Sequence, residues 1–403
     1  MYDGSPLQFP TAVQSGRTVP VLILSKFLSD SVEQLEMMAP QNAGHCHGTS
    51  LKCARFNSSV DVNVLKQWIA KMARERLELK IRRFEERLRE LAHQKLYVAD
   101  QHRSYGTPEL EHSADVFSVL IPQQLSDRGL WDQLLYEGIM DGLGYAKNRE
   151  PFMKLARNAS LKIVQTLNPS IDCLTTEALL LGVAGLLPQV RTLTERASRE
   201  HVRLLRRCWR SIRKEVSCER LHEAEWQFFP TRPVNFPTIR IAAAAAIVQK
   251  ILADDLFRTV IQIVKSPARI NESLLSLIET LIVVPGAFWK SHYHFDAPSV
   301  KRLSPLGRSR AYDIVANTVI PISLLYSRIF RDSITRNNTL ELYKAFPPLS
   351  SNVILRRMEQ QLLRSKLDLS SMRLQQGAIQ LWHFYCNESR CAECDVGKIV
   401  FKM

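Results

Sequence analysis

The sequence predicts a mainly α-helical protein: a multi-helix globular body with a small β-containing N-terminal lead-in. Three observations carry that expectation. After Leu65, apolar residues recur at steps of three and four, the period of a helix face. The breaks between these stretches hold proline and turn residues instead of strand-like alternation. Hydrophobic residues make up 45% of 403, with only 15 Gly and 19 Pro, which suits a packed core and excludes fibrous or disordered classes.

The elements follow in order. Residues 1–60 read as a short β/loop lead-in, with "VPVLIL" as one apolar run and "GHCHGTSLKC" as loop. Residues 61–403 read as a helical domain, with a subdivision near 230–237 and a Cys-rich hook at the end. Leu77, Ile81, Phe84, Leu88 and Leu91 form one face of the first long helix, and Glu78, Arg82 and Glu86 are spaced to pair along its exposed side. Further helices are expected at about 127–141, 149–158, 174–187, 191–217, 238–264, 272–284, 310–331, 352–366 and 371–386. Pro188, "FPTRPVNFP", Pro285 and "SPLG" divide them, and Pro237 suits a first helical turn.

The start, "MYDGSPLQFPTAVQSG", is polar and has no secretory-leader pattern. The most apolar stretch, "LLSLIETLIVVPGAFW", carries Glu279 and Pro285 and is too short to span a bilayer. A cytoplasmic protein is therefore expected, with no membrane partner. In that compartment the eight cysteines are reduced thiols or metal ligands. The formal charge is +14 and is concentrated. Residues 66–95 hold ten basic and five acidic side chains, and residues 191–222 ten and four. Such a distribution points to an anionic partner.

Five blocks, "WDQLLYEGIMDGLGYAKNREPFMKLAR", "EALLLGVAGLLP", "RPVNFPTIRIA", "NTVIPISLLY" and "QGAIQLWHFYCNESRCAECDVG", run in order over roughly residues 127–397. Together they resemble a bacterial family catalogued as domain of unknown function 2851, which has no established activity. Longer members carry an additional N-terminal segment with Gly-Pro-Asp-Phe and Glu-Leu-His elements. That segment looks like a restriction-type nuclease core, where paired carboxylates hold Mg²⁺ beside a phosphodiester. No position here matches those elements, so the resemblance carries over no catalytic residue. Either the start lies further upstream, or the chain keeps only the helical part. One alternative function is thus the remnant or partner of a nuclease-like, metal-dependent hydrolase whose catalytic segment is missing. A second is a structural protein-interaction module.

The residues themselves offer two candidate sites. Cys386-x4-Cys391-x2-Cys394 has the spacing of a metal hook: two thiolates three positions apart at a turn reach one ion, and a third closes over it. The expected cofactor is a structural zinc or an iron–sulfur cluster, with Cys53 as fourth ligand ahead of Cys46 and His383. The competing reading is three buried reduced thiols. The second candidate is a stripe, Arg196, Arg199, Arg203, Arg206, Arg210 and Arg213, at steps of three and four along one helix face. Leu205, Trp209, Ile212 and Val216 lie opposite. Permanently charged forks in a row suit nucleic acid or another polyanion, whereas the bland reading is a solvated helix face.

Weaker features follow. His292, His294 and Asp296 alternate and would share a face in an extended segment, although ordinary loop hydrogen bonds suit them better. Arg232, Asn235 and Arg240 surround two prolines, which fits either an anion or a locked helix entry. "DGLGYAKN" lacks the third glycine and preceding strand of a dinucleotide loop, and no nucleotide-binding P-loop or hydrolase motif is present.

Overall fold

The computed structural model describes residues 51–103 and 122–401, apart from positions 56, 230, 267, 285 and 365, together with residues 11–12 and 18–19. The chain divides into two units, Met1–Ser50 and Leu51–Met403. In the first, β1 (Thr11–Ala12) pairs antiparallel with β2 (Thr18–Val19), Thr11 opposite Val19. Cys46 and its flanking histidines lie outside the described residues.

Helix accounts for 69% of the described residues. In the second unit, α1 (Val62–Arg103) is the long helix read from the apolar period. It is followed by α2 (Arg128–Leu143), α3 (Arg149–Asn158), α4 (Leu161–Leu167), α5 (Cys173–Val183) and α6 (Arg196–Ile212). Next come α7 (Pro237–Ala253), α8 (Leu256–Lys265) and α9 (Ile270–Leu281). After them, α10 (Arg308–Ile314) runs through a π turn into α11 (Ile320–Ile329), and α12 (Ser333–Ala345) follows. The chain closes with α13 (Val353–Met358), α14 (Met372–Leu381) and α15 (Asp395–Phe401).

Most of these match the expected spans, and the differences have local causes. The stretch 238–264 is two helices because Asp255 adopts a left-handed conformation (φ 54°) with neither glycine nor proline to announce it. Helix α12 has a sparse apolar pattern, and its start is fixed by Asp332, whose carboxylate accepts the backbone N–H (3.0 Å) and hydroxyl (2.9 Å) of Thr335. A second small ladder, β3 (His292–His294) with β4 (Ala297–Pro298), lies far beyond the first 60 residues, to which strands were expected to be confined. Two or three residues are too short to leave a periodic signal.

Two apolar cores form in the second unit. The larger surrounds α2, α5 and α7, which are buried on nearly all sides; the alanine run of α7 keeps that helix thin enough for α2, α5 and α8 to pack against it. The smaller core joins the two ends of the unit. Leu51, Cys53, Leu65, Trp68, Ile69 and Met72 pack with Leu355, Met358, Leu362, Ala378, Leu381 and Val396. Gly377 makes this possible: a Cβ there would lie 2.1 Å from the Ile69 carbonyl oxygen, so its absence lets α14 lie directly on α1.

Candidate functional site: a cysteine cluster, an arginine face and a cationic crevice

The smaller core gathers the sequence-predicted cysteines. A π turn over Trp382–Cys386 ends α14, where the Asn387 N–H donates to the Trp382 carbonyl at 2.8 Å. A 3-10 turn, Cys391–Glu393, then leads to Cys394 and α15. Gly397 is needed there, since a Cβ would meet the Cys391 carbonyl oxygen at 2.1 Å. Cys53 sits on the turn closed by Ala54 N–H to the Leu51 carbonyl (2.9 Å), and Gln361 Oε1 in turn accepts the Leu51 N–H (2.8 Å).

Cys391 and Cys394 lie close enough to act on the ionisation of Cys53 and Cys386. Burial, then Cys394 and Cys391, push the Cys53 thiol up to about 11. Burial, then Cys53, Cys394 and Cys391, push Cys386 higher still. Burial also raises Cys394, opposed by the backbone N–H groups of Gly397 and Val396, which point at its sulfur. All four are free thiols. His383 is exposed and feels Arg76 instead of the thiols. Among the described residues, no group of three or more His, Cys, Asp or Glu side chains is set to hold a metal ion.

The arginine stripe lies on α6, and that helix is amphipathic as expected. Ser198, Val202, Leu205, Trp209 and Ile212 are buried and the arginines lie on the other side. The arginines nonetheless differ in what they do. Arg206 donates to the carbonyls of Pro188 (2.5 Å) and Leu187 (3.2 Å), and Arg199 to that of Leu193 (3.3 Å), so both tie down the preceding loop. Arg196 pairs with Glu200 at 2.8 Å. Arg203, Arg207 and Arg213 are exposed and make no direct hydrogen bond or ion pair among the described residues, while Arg210 donates one bond to the Arg206 carbonyl (3.2 Å).

Of the alternating 292–296 segment only His292–His294 is extended; Asp296 turns away in a left-handed conformation (φ 55°), so the three do not share a strand face, and each makes its own hydrogen bonds. His292 is buried, with Nδ1 2.9 Å from the Phe288 carbonyl and Nε2 3.0 Å from Glu195. His294 Nδ1 lies 3.0 Å from the Thr238 hydroxyl. Asp296 accepts the backbone N–H groups of Thr194 (2.7 Å) and Glu195 (3.0 Å) just ahead of α6. In "RPVNFPTIR", Arg232 is exposed, whereas Arg240 is buried and donates to Asn235 Oδ1 (2.7 Å), the Tyr145 hydroxyl (2.8 Å) and the Pro305 carbonyl.

Two polar sites were not read from the sequence. A cleft of about 550 Å³ runs between α1, α2 and α4, lined by Arg87, Asp132, Glu137, Arg157 and Lys162 among others. Glu137, 2% exposed, accepts a bidentate pair from Arg87 at 2.7 and 2.8 Å. Asp132 is buried with Oδ1 unpartnered, and burial pushes its carboxyl up to about 6 although Arg128 opposes the shift. The second is a cationic crevice. On α1, Arg76 Nε (2.7 Å) and Lys80 Nζ (2.8 Å) both donate to one acceptor, Gln376 Oε1 of α14. Lys80 also donates to Asn317 Oδ1 (2.6 Å), which the π turn Val315–Val319 presents. Arg83 and Arg149 flank them and share the carboxylate of Asp141, at 3.3 and 2.6 Å. These positions carry no local signal, because a lysine and an arginine on a charged helix read as solvated.

A family model described as "Protein of unknown function (DUF2851)" matches residues 111–352. No curated protein and no solved structure matches the chain. No helix among the described residues is long and apolar enough to cross a membrane.

Proposed function

We propose, for a chain that belongs to the DUF2851 family of proteins of unknown function, that it associates with nucleic acid through the outer face of α6 and is clasped by a structural zinc. One observation carries the first half: Arg203, Arg207, Arg210 and Arg213 stand exposed with no carboxylate in contact. They cover ~15 Å of helix at 1.5 Å per residue. Forks of this kind bind phosphates without reading sequence, so binding is sequence-tolerant and falls with salt. The position of Arg210 and Arg213 at the C-terminal end of α6 also suits the helix dipole, which is the competing explanation.

The test is fluorescence anisotropy with single- and double-stranded oligonucleotides over a salt series. Replacing Arg203, Arg207 and Arg210 with Gln should weaken binding and flatten the slope of log K against log salt by about 2–3, as each phosphate contact contributes about 0.9 for duplex DNA. Unchanged binding, or none at low salt, leaves α6 a solvated face.

The four cysteines support the second half. Burial makes the Cys53, Cys386 and Cys394 thiols resist ionisation, and a divalent cation removes that resistance as protons leave, drawing the sulfurs together. Backbone N–H groups aimed at Cys394 are the outer contacts that steady a bound thiolate. Four thiolates suit tetrahedral zinc. Elemental analysis of protein purified without added metal should give about one zinc per chain and none in Cys391→Ser, Cys394→Ser. Brown, iron-containing protein would identify a cluster instead, and metal-free wild type returns the thiols to the packing reading.

A further inference from the structure

We infer that the crevice between α1, α14 and the start of α3 binds a phosphate group, free or at the end of a nucleotide, on Arg76 and Lys80. The inference is independent of α6 and of the cysteines. Its ground is an imbalance. Arg76 and Lys80 are partly buried, yet neither contacts a carboxylate among the described residues; both lean on the oxygen of a single amide, Gln376. An amide dipole compensates only a fraction of one charge, and here it serves two. Arg149 lies within electrostatic reach of both and Arg83 within reach of Lys80, and the only carboxylate touching these two among the described residues is Asp141. Arg373 also acts on Tyr343, whose hydroxyl lies in reach of Arg76.

Like charges held this close repel one another, and burial adds to the repulsion: the Lys80 ammonium is held well below the usual lysine range by burial, then by Arg76, Arg149 and Arg83. At Arg87, by contrast, the half-buried cation is met by a carboxylate, Glu137. The acceptors actually present, Gln376 and Asn317, hold the cations in place without neutralising them. That arrangement leaves two charges for a visiting dianion. A tetrahedral oxyanion accepts from an ammonium and a guanidinium at once, and charge-assisted bonds to phosphate are among the strongest available. Of the surrounding cations, Arg149 and Arg83 are the solvent-facing ones, both exposed by about half.

The positions come from distant parts of the chain. Gln376 is delivered by the close approach of α14 at Gly377, Asn317 by a π turn whose Ile320 N–H bonds to the Val315 carbonyl, and Arg149 by the first residue of α3. Such π turns occur often at functional sites.

Isothermal titration of the full chain with inorganic phosphate and with a 5′-mononucleotide, in chloride buffer of matched ionic strength, tests the inference. Saturable one-site binding of at least one of them is expected, and tighter binding of the mononucleotide assigns the source as a nucleotide. Lys80→Met should weaken binding at least about tenfold, the scale of one lost charge-assisted bond, and should raise Tm in phosphate-free buffer because it removes an uncompensated charge. Lys80→Arg should retain binding. If Lys80→Met does not fold, Arg149→Gln at the exposed rim takes its place, with a severalfold loss expected. No saturable heat from either compound, or equal affinity in wild type and variant, overturns the inference.

Discussion

Gly377→Ala should destabilise the protein, against the usual sign for that change. In a helix interior, Gly→Ala ordinarily stabilises by about 1 kcal/mol through backbone entropy. Here the new methyl would lie 2.1 Å from the Ile69 carbonyl oxygen, 2.8 Å from Ile69 Cγ2 and 3.0 Å from the carbonyl carbon. Two of these contacts are with backbone, which cannot swing aside, so α14 must lift off α1 by roughly 1 Å to reach ordinary contact distances. Overpacking of this kind costs about 3 kcal/mol, and the propensity gain leaves a net loss of about 2 kcal/mol. A unit of about 350 residues unfolds with an entropy near 0.7 kcal/mol/K, so Tm should fall by ~3 °C. Differential scanning calorimetry reads this, with Gly286→Ala as control, because a Cβ there meets nothing within 4 Å. A Gly377→Ala protein that melts at or above the wild-type temperature would refute the close-packing argument, and with it the reason Gln376 stands beside Arg76.

Three further outcomes are expected. Asp132 has its carboxyl raised from 3.8 to about 6 by burial, so the stability it favours is present below pH ~4 and lost as pH rises through ~6. That loss is on the order of 3 kcal/mol at 1.36 per pH unit, and Asp132→Asn should flatten Tm against pH over this window. On the proposed zinc reading, metal bound by Cys53, Cys386, Cys391 and Cys394 should be released on acidification, as protons reclaim the thiolates; metal content after dialysis at pH 5 and pH 8 measures it. Arg206→Gln should lower stability by about 1–2 kcal/mol, because its bonds to Pro188 and Leu187 are lost, whereas Arg203→Gln should leave Tm unchanged; chemical denaturation separates the two.

The legible part of the molecule was whatever repeats within one element. The buried side of α1 at Ile81, Phe84 and Leu88, and that of α6 at Leu205, Trp209 and Ile212, follow from a 3.6-residue period alone. The cysteine spacing is equally local, whereas Cys53 comes beside the hook only through the core that joins the two ends of the unit. The crevice was illegible because none of its members is unusual where it stands. Lys80 looks like any surface lysine until Gln376 and Asn317 arrive from about 300 and 240 positions away. Short elements escaped for a different reason: α4 and the 292–298 hairpin are fixed by a cap or a turn, not by periodicity.

The smaller core imposes an order of events on a ribosome. Its first half, Trp68, Ile69 and Met72 on α1, is synthesised well before the residues that cover it, Leu355 to Val396. At ~5–20 residues per second, that apolar stripe stays uncovered for some 15–60 s of elongation, long after its own helix can form. A nascent chain in this state offers a greasy rod to any chaperone or neighbouring chain. A truncation that stops short of α14 would leave the rod exposed for good, and such fragments should accumulate in the insoluble fraction even though nearly all of the larger core is encoded.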